Sequence, residues 1–133
     1  MYVKALYADC WDGRTCTNLE TPNPSWGDIA AAVERLDGKR HTIITIGAGG
    51  EAHMAVGGGE HGQYVVYATF DNESFRTLLS ATTQSQEIMY LVTGGQLGDY
   101  PKNIVVDLAS ALAAAKTFAE LGQIDATLNW RDH

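Results

Sequence analysis

The sequence predicts an α+β fold: a mostly antiparallel sheet of five or six strands with two helices packed on one face. Three observations carry this expectation. Amphipathic, capped segments stand near residues 24–38 and 107–122. Between them, from His41 to Pro101, run short alternating or β-branched stretches. Glycine-rich connections separate those stretches, at the lengths that join antiparallel neighbours. With 133 residues and 45% hydrophobic content the chain can build one ordinary core, so residues 1–133 are expected to form a single domain.

Taken in order, Tyr2 to Ala8 alternates as a first strand, with Val3, Ala5 and Tyr7 on one face and Lys4 and Leu6 on the other. Asp9 to Pro24 reads as a loop. Asn23-Pro24 predicts a helix start, because Asn caps free amides and Pro at the first helical position needs no donor. Trp26, Ile29, Val33 and Leu36 then recur at helical spacing as one apolar stripe, which Gly38 can end. His41 to Ile46 is β-branched and apolar on both faces, as an interior strand requires. Glu51 to Val56 alternates, with Ala52, Met54 and Val56 set against Glu51, His53 and Ala55. It is expected to pair with Gln63 to Phe70 through a hairpin about Gly58-Gly59-Glu60-His61-Gly62.

Asp71-Asn72 marks a turn, Ser74 to Leu79 a further strand and Glu87 to Thr93 another. Asp107 is a cap for the second helix, whose buried stripe is expected at Leu108, Leu112, Ala115, Phe118 and Leu121 and whose stop is Gly122. Its alanine-rich body permits close approach to a sheet. In the tail, Gln123 to His133, the apolar Ile124, Leu128 and Trp130 suggest docking onto the core.

Sixteen Asp plus Glu against nine Lys plus Arg give a formal charge of -7. That balance disfavours nucleic acid or an anionic membrane as the direct ligand, because both attract cations. It favours a basic protein. No stretch approaches the roughly 18 to 20 apolar residues of a membrane span, and Met1-Tyr2-Val3-Lys4 does not begin an export signal, so a cytoplasmic location is expected. Cys10 and Cys16 are then expected to stay reduced.

Chemical constellations are sparse. No Lys-Ser or Lys-Thr follows a glycine run, so the glycines read as turns and close approaches rather than a phosphate loop. His53, Glu60 and His61 do not make a metal site, since a hairpin turn near residue 60 puts His53 opposite Tyr67 and about 20 Å along the strand from the turn. His41 and His133 have no evident partners. No serine occupies a G-x-S-x-G elbow and neither cysteine carries a protease signature, so no catalytic residues, cofactor or metal are expected.

The charge distribution is more informative. Between His41 and Pro101 six carboxylates face one basic residue, Arg76. Glu51, Glu60, Asp71, Glu73 and Asp99 are therefore the candidate contacts for a cationic partner, with Tyr100, read as a loop residue beside Asp99, as an aromatic anchor. Two other classes stay open. A small-molecule binder or enzyme would have a pocket between sheet and helices, lined by Glu51, His53 and Tyr67. A subunit of a larger assembly would be distinguished by its gene neighbourhood.

The order of several segments adds a resemblance. Trp-Asp-Gly near the start, Asn-Pro-Ser-Trp, Ala-His-Met-Ala-Val-Gly-Gly-Gly, Tyr-Val-Val-Tyr-Ala-Thr-Phe-Asp-Asn-Glu, Gly-Gly-Gln-Leu-Gly-Asp-Tyr-Pro and the alanine-rich last helix together resemble the first-numbered immunity family of bacterial polymorphic toxin systems. The resemblance spans nearly the whole chain, and Trp26, Gly94, Gly95 and Tyr100 are its motif positions. It implies a small α+β protein that binds and blocks a cognate toxin, often one of the nucleic-acid deaminase superfamily. Contact residues vary within such a family and are not implied by it.

Overall fold

A computed structural model describes residues 1–133. The elements run β1 (Ala5–Asp12), β2 (Thr15–Pro22), α1 (Trp26–Arg35), β3 (Ile43–Gly47), β4 (His53–Gly58), β5 (Tyr64–Thr69), β6 (Phe75–Leu78), β7 (Ile88–Thr93), β8 (Gln96–Pro101), α2 (Leu108–Leu121) and β9 (Trp130–Asp132). Seven strands form one sheet in the order β2-β1-β3-β4-β5-β6-β9, and every neighbouring pair is antiparallel. The β7–β8 hairpin stands apart as a two-stranded sheet.

Strand alternation decides which face is closed. Leu6, Ile46, Met54 and Ala68 fall in one cross-strand row, and Ala8, Ile44, Val56 and Val66 in the next. All eight are buried in one cluster with Ile29 and Val33 of α1 and with Ala111, Ala114, Ala115 and Phe118 of α2. Each fully buried Ile, Val or Met contributes about 1.5–3 kcal/mol. The alanines remove bulk from the α2 face, which lets that helix lie close over β4 and β5.

The α+β class, the antiparallel sheet and the placement of both helices agree with the expectation. The strand number does not: there are nine rather than five or six. Asp9 to Pro24 is a hairpin, not a loop, in which β1 continues to Asp12 and β2 returns through Gly13 and Arg14. Nearly all of β2 is exposed on this edge, so its side chains carry no apolar alternation and only the backbone ladder defines it. Neither β8, whose apolar residues are divided between two faces, nor the three-residue β9 carries that alternation. In β1 the inward residues are Leu6 and Ala8, while Tyr7 faces solvent. Val3 is buried ahead of the strand, where its amide donates to the Ala119 carbonyl.

Two helix details also differ. The N-cap of α1 is Ser25, not Asn23: Ser25 Oγ accepts from the Asp28 amide and the Asp28 carboxylate accepts from the Ser25 amide, closing a capping box. Asn23 instead takes a left-handed φ of 49°. In α2 the Asp107 cap and the Gly122 stop are as expected, but the buried stripe runs through Ala111, Ala114, Ala115, Phe118 and Ala119, and Leu121 is 63% exposed. The tail docks through Ile124, Leu128 and Trp130 and adds β9 to β6.

Candidate functional site

The sheet face turned away from the helices carries Tyr7, Thr45, Ala55, Tyr67 and Thr77 in one cross-strand row. Beside it an aromatic chain crosses the sheet. His53 packs edge-on against Tyr67, Tyr67 edge-on against Phe75, and Phe75 stacks on His133 at 6.1 Å between ring centroids. The register sets His53 opposite Thr69 and Ala55 opposite Tyr67, because the turn centres on His61 rather than Glu60. His53 still reaches Tyr67 diagonally. Its Nδ1 donates to the Glu51 carbonyl at 2.8 Å, which leaves Nε2 to accept from the Tyr67 hydroxyl at 3.4 Å. Burial pushes the Tyr67 hydroxyl above its ordinary pKa.

His41 and His133, expected to lack partners, both have one. His41 Nδ1 meets the Asp9 carbonyl at 3.0 Å, and His133 Nε2 meets the Thr77 hydroxyl. No group of three or more His, Cys, Asp or Glu side chains is arranged to hold a metal ion. Cys10 and Cys16 are free. Cys10 pairs in register with Thr17 and Trp11 with Cys16, so the thiols leave opposite faces of the ribbon.

The β7–β8 hairpin covers the end of this face where β4 finishes. Its inner side sets Thr93 on Gly57, where a Cβ would stand 2.8 Å from the Thr93 Cβ, and Leu91 beside Gly58. Its Gly94-Gly95 turn rests on Trp11, and the Gly95 amide donates to Thr42 Oγ1 at 2.9 Å. Thr42 is held in turn by Asp9. This buried carboxylate accepts from the Thr42 amide at 2.7 Å, the Ile43 amide at 3.0 Å, Trp11 Nε1 at 2.7 Å and the Thr42 hydroxyl. Asp9 thus fastens β1, β3 and the hairpin turn together. Sequence reasoning does not reach it, because Asp9 to Pro24 reads as a loop; an acidic residue two before a tryptophan is the only signal.

Beneath the hairpin lies a hollow of about 220 Å³ lined by Ile43, Ala55, Val65, Tyr67 and Tyr100 among others. Tyr100 is therefore not a free loop anchor. It sits on β8, half-buried, and shares a 2.8 Å hydrogen bond with the Thr93 hydroxyl. The pocket expected between sheet and helices, lined by Glu51, His53 and Tyr67, does not form. Core side chains occupy that interface, and His53 and Tyr67 lie on the opposite face.

The candidate carboxylates fall in separate places. Glu51 precedes β4, and Asp71 and Glu73 occupy the β5–β6 turn, so these three extend beyond the same end of the sheet. The backbone amides of Ser74 and Glu73 hold the Asp71 carboxyl below its ordinary pKa. Arg76 does not neutralise this group, because it pairs with Asp132 at 3.0 Å. Glu60 follows the other end of β4, about 20 Å away at 3.3 Å per residue. Asp99 is exposed on the outer side of β8. Of the motif positions, Gly94 and Gly95 form the hairpin turn and Trp26 lies partly buried at the start of α1, with Lys116 Nζ 6.0 Å from its ring centre.

The fold and its surfaces define a small α+β domain, closed by helices on one sheet face and open on the other except where its own hairpin lies. Residues 19–132 match the family described as Immunity protein Imm1, and the chain belongs to this family of immunity proteins. Membership implies binding of a cognate toxin, in agreement with the resemblance drawn from the sequence. None of the curated proteins compared matches the chain. No helix is long and apolar enough to cross a membrane.

Proposed function

We propose that residues 1–133 act as one immunity domain that binds and blocks a cognate polymorphic toxin stoichiometrically, without turnover of its own. The partner is a cationic, nucleic-acid-modifying protein of the deaminase type, met in the cytoplasm of the producing cell. Family membership supports the inhibitory role, and the resemblance in motif order supports the type of toxin. The observation that carries the cationic partner is the formal charge of -7, with Glu51, Asp71 and Glu73 grouped at one sheet end and Arg76, the basic residue nearest to Asp71 and Glu73 in sequence, engaged with Asp132.

Glu60 and Asp99 belong to the same proposed contact set in other parts of the surface, and Tyr100, turned inward to Thr93, contributes by holding the hairpin that carries Asp99. Two free thiols suit a reducing compartment. The test is protection: cells producing the toxin domain encoded beside this chain should survive only when the chain is made with it. Equal killing with and without the chain would refute the role.

A further inference from the structure

The structure assigns the anchoring contact with the toxin to the outer face of the β7–β8 hairpin; this assignment rests on the inhibitory role proposed above. The register places Ile88, Tyr90 and Val92 of β7 on one face with Leu97, Asp99 and Pro101 of β8. Ile88 is 46% exposed, Tyr90 63% and Leu97 69%, so three of the chain's eight exposed large hydrophobic residues gather on this small ribbon. Exposed apolar side chains are ordinary when scattered, but a cluster held on one face marks an interaction site.

The ribbon is already fixed in place. Thr93 sits on Gly57, Gly95 on Trp11 and Thr42, and the Lys102 amide donates to the Glu87 carbonyl at its base. Docking on its outer face would therefore cost little ordering. The core of the patch suits an interface anchor, with one tyrosine and aliphatic neighbours.

Asp99 decides the occupant. It lies directly across from Tyr90, is exposed, and makes no ion pair or side-chain hydrogen bond. A carboxylate in the middle of an apolar patch is complementary to a lysine or arginine ringed by apolar groups. A second copy of this chain fits badly, because a two-fold contact centred here would bring Asp99 toward its own equivalent between molecules that each carry -7.

The experiment is binding kinetics with the catalytically inactivated toxin domain encoded beside this chain. It uses wild type, Tyr90→Ala, Leu97→Ala and Asp99→Asn, with melting temperatures measured for each. The hairpin variants are expected to melt like wild type and to lose about tenfold or more in affinity, mainly through faster dissociation. Wild-type binding with all three variants within about twofold of it would overturn the hairpin assignment and leave the inhibitory role standing. No binding by wild type would overturn both. A wild-type dimer that Tyr90→Ala or Leu97→Ala converts to monomer would instead give the face to self-association and overturn the assignment.

Discussion

The indole of Trp11 lies across the Cα of Gly95, and a Cβ at that position would overlap the ring carbons Cζ2 and Cε2. Gly95 also holds a left-handed φ of 78°, so its lack of a side chain is required twice over, and its amide donates to Thr42. Through this contact the first strand of the sheet positions a hairpin more than eighty residues later in the chain.

Gly95→Ala is therefore expected to cost about 1–3 kcal/mol, from overpacking against Trp11 and the unfavourable φ. Urea unfolding monitored by tryptophan fluorescence checks it. Gly50, which has open space around its Cα and no left-handed φ, is the control, and Gly50→Ala should change little.

Trp26→Ala is expected to destabilise less than a core tryptophan would. The side chain packs against the core edge while remaining partly exposed, so the loss should fall near or below the lower end of the roughly 3–5 kcal/mol seen for full burial. Thermal unfolding measures it. A larger loss would show that the first turn of α1 seals the core rather than bordering it.

Acid sensitivity should follow the helix cap. The Ser110 amide, at 2.8 Å, and the Ser110 hydroxyl lower the Asp107 pKa in the folded state. The associated stabilisation is thus present above the unfolded carboxylate value of about 3.9 and is lost as pH falls through the lower folded value. Asp107→Asn keeps a capping oxygen but cannot titrate. Its stability should match wild type near neutrality and decline less steeply below about pH 4. Equal acid slopes in denaturant titrations would contradict the assignment.

Reversal of charge at Asp71 and Glu73 should slow association with the toxin domain and leave dissociation nearly unchanged, because exposed carboxylates steer an encounter more than they hold a complex. Added salt should slow wild type toward the variant. Salt-independent association would remove the steering role.

What was legible in the sequence was the part of the fold that buries apolar side chains. Ile29 and Val33 marked α1, while Met54 and Val56 marked the core face of β4. Asp107 and Gly122 bounded α2 as expected. The missed strands lack that signal: β2 is an exposed edge, and β8 reads Gln-Leu-Gly-Asp-Tyr-Pro, with its apolar residues divided between two faces. Missing β8 had a direct consequence for the site. Read as a loop residue, Tyr100 is the aromatic anchor, whereas pairing with β7 turns it inward to Thr93 and turns Tyr90, Leu97 and Asp99 outward. The carboxylates were identifiable one by one, but their separation across the surface depends on register, which composition does not contain.

The most direct test of the inhibitory role is titration of the toxin domain's nucleic-acid-modifying activity with this chain, at a toxin concentration well above the dissociation constant. Activity is expected to fall linearly to zero and to end at one chain per toxin. Undiminished activity at a large excess of chain would contradict stoichiometric blocking, as would complete loss at a small fraction of an equivalent, which would require turnover by the chain itself.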